Sequence, residues 1–178
     1  MKCVEIACDR GKGITERIDA IILAGQKKEQ GARDALRMII HNEKDALEAR
    51  VHAVRALCNL DKHEAYPVLL ETLDNPNQEI RMEAITSSYF LGDSRILFPL
   101  VNLYNRLDPE KEEDLLARYA IIRALGASAD PRAEGFLEQL CKSENKNIAG
   151  LAEDALAGCR GVSVSYTHLR AHETPEHL

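Results

Sequence analysis

A chain of 178 residues, 45% of them hydrophobic, is long and apolar enough to bury one sizeable core, which sets aside a disordered chain. Aromatics make up 4%, Trp is absent, and Ala and Leu are abundant; that balance suits closely packed helices better than a sandwich of strands. The net charge of -6, with acidic and basic residues interspersed, argues against a surface built to neutralise phosphates, so no nucleic acid is expected as a partner.

The chain opens with "MKCVEIACDRGKG", which is interrupted by Glu5 and Asp9 and has no apolar h-region. No apolar run anywhere approaches the roughly 18 residues that a membrane span needs, so no membrane partner is expected. Cys3, Cys8, Cys58, Cys141 and Cys159 form an odd set without a C-x-x-C pair. They indicate neither a disulfide framework nor a zinc site, and a reducing cytoplasm fits them. "GKGIT" at residues 11–15 lacks the spacing of a phosphate loop and reads as a loop before a helix that starts near Thr15. Residues 14–24 and 29–40 carry a degenerate helix pair, and residues 1–44 are expected to cap the N-terminal end of a repeat array.

From residue 45 the chain repeats itself. Setting Arg50, Arg81 and Arg118 in register aligns "RVHAVRALCNL", "RMEAITSSYFL" and "RYAIIRALGAS", with periods of 31 and 37 residues. Each phrase is followed 17 or 18 residues later by Pro67, Pro99 or Gly135, which introduces a second apolar segment. Each unit is therefore a first helix (A), a turn and a second helix (B). In the first A-helix Glu48, His52, Arg55 and Asn59 make a polar stripe; Leu47, Val51, Val54 and Cys58 make an apolar one, flanked by Ala46, Ala49, Ala53 and Ala56. Asp61, Asp93 and Asp130 are placed to cap the B-helices. Residues 148–159 repeat the A-helix phrase without a recognisable B partner, so the units run over 45–160 with the last incomplete.

This pattern resembles the short HEAT-like repeats of the phycobilisome-lyase type over residues 45–158. The carriers are Arg50, Arg81 and Arg118 with their Ala-rich helices, and the "YP" and "FP" pairs at Pro67 and Pro99. The resemblance implies an all-α, right-handed α-solenoid of about four to five helix pairs, or about nine helices. It also implies that the repeat arginines bind carboxylates that stitch neighbouring units, with Asp45, Asp74, Asp108 or Glu112 of the preceding turns as expected partners. From Gly161 onward, "GVSVSYTHLRAHETPEHL" has no helical stripe and resembles the peptide translated from sequencing-adapter DNA. Residues 161–178 are accordingly expected to be unstructured and not native, and the natural chain to continue beyond the break. His168, His172 and His177 are therefore not counted as metal ligands.

No convergent set of titratable groups marks a catalytic site, and no cofactor or metal is expected. His63-Glu64 resembles the several pairs by which HEAT-like deoxyhypusine hydroxylases hold iron, but just one other such pair exists, His172-Glu173 in the tail. Two function classes remain. One is an interaction scaffold that binds a protein partner along an extended concave surface of B-helices. The other is a lyase-like or chaperone-like subunit of the bilin-lyase type. The expected partner-binding positions lie one turn past each anchor: Leu70 and Glu71, Asn102 and Leu103, Glu138 and Gln139.

Overall fold

A computed structural model describes residues 2–161, and the tail from residue 162 lies outside the described residues. Its ten α-helices are α1 (Cys3–Cys8), α2 (Ile14–Gln26), α3 (Ala32–His41), α4 (Leu47–Leu57) and α5 (Lys62–Thr72), followed by α6 (Gln78–Leu91), α7 (Leu97–Arg106), α8 (Glu112–Ala127), α9 (Glu134–Leu140) and α10 (Lys146–Cys159). Short 3-10 helices at Ser94–Ile96 and Pro131–Ala133 lead into α7 and α9. Among the described residues there is no strand. The helix that the sequence pattern does not signal is α1. It packs on α2 and α3 and so takes the place of a B-helix at the N-terminal edge.

The even-numbered helices α2, α4, α6, α8 and α10 stack side by side as the A layer, and α3, α5, α7 and α9 return across them as the B layer. This is an α-solenoid in which each unit buries its apolar face only by stacking on the next. The turns are set by local chemistry. The Asn77 side chain accepts from the Ile80 amide to start α6, and Gly92, at φ +59°, ends it in a left-handed cap. Asp93 and Asp130 accept from the amides of Arg95 and Arg132 and so open the two 3-10 turns. Pro67 sits inside α5 rather than opening it, because Asp61 already starts that helix at Lys62 and the proline removes one backbone donor.

The A layer is drawn together by small residues. On α4 the deepest face is the flank of Ala49, Ala53 and Ala56, at most 2% exposed, while Leu47, Val51 and Cys58 of the expected apolar stripe are half-buried. At three of the four seams a small residue near the end of one A-helix meets the next: Gly25 meets Ala56, Cys58 meets Ser87 and Gly126 meets Ala155. A Cβ on Gly25 would lie 2.7 Å from the Ala56 carbonyl oxygen, and one on Gly126 would lie 2.5 Å from Ala155 Cα. At the same register the Cys58 thiol donates to the Ser87 carbonyl at 3.2 Å. Backbones approach this closely only where side chains are nearly absent.

Candidate functional site in the B layer

The outward face of the B layer presents Met38, Leu70 and Phe98, which are 57%, 37% and 58% exposed. Between α5 and α7 lies a groove of about 530 Å³ lined by Leu70, Leu73, Asp74, Pro99, Asn102 and Arg106. A neighbouring one of about 350 Å³, between α3 and α5, is lined by Asp34, Arg37, Met38, His41 and Glu71. Leu70, Glu71 and Asn102 therefore stand on adjoining surfaces, with Glu138 and Gln139 exposed on α9. Leu103 does not join them. It is 4% exposed and belongs to the core, because it lies one residue round α7 from Asn102 and so faces the A layer.

Two of these positions already hold partners within the chain. Glu71 accepts from Arg37 Nε at 2.7 Å and lies 3.5 Å from His41 Nε2. Burial holds that histidine's pKa below its ordinary value, and Glu71 opposes the shift. Glu138 pairs with Arg160 at the end of α10. The B face thus carries ion pairs that run between neighbouring helices, a third being Arg106 with Asp74 at 2.7 Å. Asn102 and Leu70 make no side-chain ion pair or hydrogen bond among the described residues.

The repeat arginines lie behind this face, and their partners differ from the expected ones. Asp45 does not serve Arg50; it takes both terminal nitrogens of Arg17, on α2, at 2.7 Å each. Asp74 serves Arg106, and Arg81 lies 3.6 Å from Asp114. Where a carboxylate is found, it belongs to the following unit rather than the preceding one. The geometry accounts for this: a helical side chain leans toward the N-terminus of its own helix, which brings the guanidinium beside the first turn of the next parallel A-helix. The same arginines reach back to backbone carbonyls, with Arg17 donating to Ala7, Arg50 to Ile40 and Arg81 to Asn75. Arg118 instead lies over the Tyr104 ring, 4.1 Å from its centroid.

A second ladder, unread in the sequence, runs along the turns that open the B-helices. Arg95 folds back on Asp93, lies 4.2 Å over the Tyr66 ring and points toward the Lys62 carbonyl. Thirty-seven residues on, Arg132 repeats this on Asp130 and donates to the Ser94 carbonyl at 3.0 Å, with its guanidinium 5.9 Å from the Phe98 ring centroid. The hydrogen bonds from these arginines hold both carboxyls below the usual carboxylate range. The signal was available as "DSR" and "DPR" at equivalent positions.

All five cysteines are free, and burial raises the thiols of Cys8, Cys58, Cys141 and Cys159, the opposite of an activated nucleophile. Among the described residues no group of three His, Cys, Asp or Glu could hold a metal ion, and no helix is long and apolar enough to cross a membrane.

The profile of the HEAT repeats matches residues 14–88 and again residues 35–110, together more than half of the chain. This chain belongs to the HEAT-repeat family. The first match starts at α2, within the segment read as a degenerate first helix pair. Among solved structures, the chain is similar to the complex of CpcE and CpcF of phycocyanin lyase from Nostoc sp. PCC7120, with TM-score 0.66 and 21% identity. That alignment covers 89% of this chain but 64% of the other, so this chain spans less than two thirds of its length. It is also similar to human deoxyhypusine hydroxylase in complex with glycerol, with TM-score 0.62 and 18% identity over 89% of this chain and 73% of that one. A designed armadillo repeat protein matches with TM-score 0.51 and 20% identity over 88% and 80% of the two chains. No curated protein matches the chain. These likenesses establish the HEAT-type solenoid; at such identities they carry no activity with them.

Proposed function

We propose that this HEAT-repeat chain is an interaction scaffold whose protein partner lies across the B-helices. The observation that carries the reading is the groove between α5 and α7, where the unpaired Leu70 and Asn102 sit beside Pro99, flanked by exposed Met38 and Phe98. A surface that mixes apolar side chains with unpaired amides suits a protein better than a charged polymer. The net charge of -6 disfavours nucleic acid for the same reason. Five free cysteines fit a reducing compartment, which we take to be the cytoplasm.

The second reading, a lyase-like or chaperone-like subunit, is favoured by one finding: the CpcE and CpcF neighbour is a complex of two chains. In either case the chain works by docking another protein. Affinity capture from the source cells followed by mass spectrometry tests the scaffold reading. The wild-type chain and the control Glu48→Lys should retain the same partner, and Leu70→Asp with Asn102→Arg should lose it. Retention by the double variant would remove the B face from the account. Visible absorbance on protein produced in a tetrapyrrole-making host would favour the lyase-type reading.

A further inference from the structure

The A-layer seams are not all alike. Gly25, Cys58 and Gly126 occupy the same register and let the next helix approach closely, but at the seam between α6 and α8 that register holds Tyr89. A phenol ring cannot enter a gap that at Gly25 and Gly126 excludes a single methyl group and at Cys58 admits no more than a thiol. Tyr89 is instead 43% exposed and stacks against Phe90 with ring centroids 5.0 Å apart. Behind it the seam stays open as a cavity of about 70 Å³. Its floor is buried and apolar, formed by Leu97, Leu100, Ala124 and Leu125, while Tyr89, Gly92, Ser94 and Ser128 on its rim reach the surface.

We propose that this seam is a binding site for a small uncharged ligand with an apolar body and one hydrogen-bond donor. The apolar part is set by the floor. Neutrality is set by Asp93 and Asp130 at the rim, each already engaged by its own arginine with shortest contacts of 2.6 Å, so neither a free anion nor a free cation awaits a charged ligand. The donor is set by Ser88 and Ser128: their hydroxyls donate to the Ile85 and Leu125 carbonyls, Ser88 Oγ keeps its lone pairs, and Ser128 Oγ, which also accepts from the Asp130 amide at 3.4 Å, keeps one. A dry cavity of about 150 Å³ takes a benzene. This one is smaller, so a ring enters by one edge and remains partly at the mouth beside Tyr89. The inference is independent of the protein-binding face.

The test is an amide correlation NMR titration of the full chain with phenol and isobutanol, and with benzoate and benzylamine as charged counterparts. The expected result is saturable shifts at Ser88, Ala124, Leu125 and Ser128 with the neutral probes, and at least about tenfold weaker binding of the charged ones, which lack a counter-charge here. Ala124→Leu, which fills the floor, and Tyr89→Gly, which restores the small residue of the other seams, should each abolish the shifts in a folded chain. Absence of saturation with both neutral probes, equal binding of the charged ones, or shifts that persist in whichever variant folds would overturn the proposal.

Discussion

Arg17 grips Asp45 with both terminal nitrogens at 2.7 Å, and both side chains are no more than 5% exposed, so the first two units share one buried ion pair. Removing one member of such a pair strands the other charge away from water. Asp45→Ala should therefore lower the unfolding free energy by about 3 to 5 kcal/mol, measured by urea denaturation. A loss within error of zero would mean that the pair is not formed in solution.

The same pair sets an acid dependence. The hydrogen bonds from Arg17 hold the Asp45 carboxyl below its ordinary range, so its folded value lies under the unfolded one of about 3.9. Its contribution is present in full above that unfolded value and is lost as pH falls through the lower folded value. Asp45→Asn should therefore flatten the acid limb of the stability curve, leaving the dependence supplied by Asp93 and Asp130, whose carboxyls are lowered in the same direction.

The small-residue seams predict opposite signs for one chemical change. Gly126→Ala drives a Cβ against the Ala155 backbone at 2.5 Å and should destabilise by about 1 to 3 kcal/mol. Gly150→Ala, in the middle of α10 with nothing within 4 Å of the new atom, should stabilise by about 0.5 to 1 kcal/mol. Thermal or urea unfolding of the two variants decides the matter, and equal signs would mean that the A-layer spacing is wrong.

Arg81 and Arg55 separate an inward arginine from an outward one. Arg81 donates to the Asn75 carbonyl at 3.0 Å and faces Asp114; Arg55, with its side chain 57% exposed, reaches Glu83 at 2.9 Å. Arg81→Ala should cost about 1 to 3 kcal/mol, and Arg55→Ala no more than about 0.5 kcal/mol. Equal losses in denaturant titrations would show that the helical phase is misassigned.

Helix type, the A–B alternation, the inward Arg50 and the outward Glu48 and Arg55 were legible because apolar periodicity and the Arg-anchored repeat are strong local signals, whereas the deepest face of the first A-helix is the Ala flank and not the expected apolar stripe. Four things were not legible. The partner of each arginine depends on which unit stacks on which side, and sequence adjacency pointed to the preceding turn when the stack supplies the following one. The arginine of the first unit, Arg17, was missed although "RIDAI" at 17–21 matches "RVHAV" at 50–54 in its Arg, Ala and branched apolar positions, because the phrase diverges from residue 22 onward, where "ILA" stands against "RAL". Leu103 was taken for surface because a one-residue offset on a helix turns a side chain by roughly 100°, which is finer than an anchor-based register resolves. The Tyr89 cavity was invisible for a different reason: a gap is a property of two stacked helices, not of either sequence.

The central claim is that a protein partner docks across the B layer, and site-specific photo-crosslinking in source-cell extract tests it most directly. A crosslinker at Asn102 should capture a discrete protein that competes with added unlabelled chain, and one at Glu48, exposed on the A layer, should not. Capture from Glu48 with none from Asn102 would place recognition on the A-helices and contradict the account.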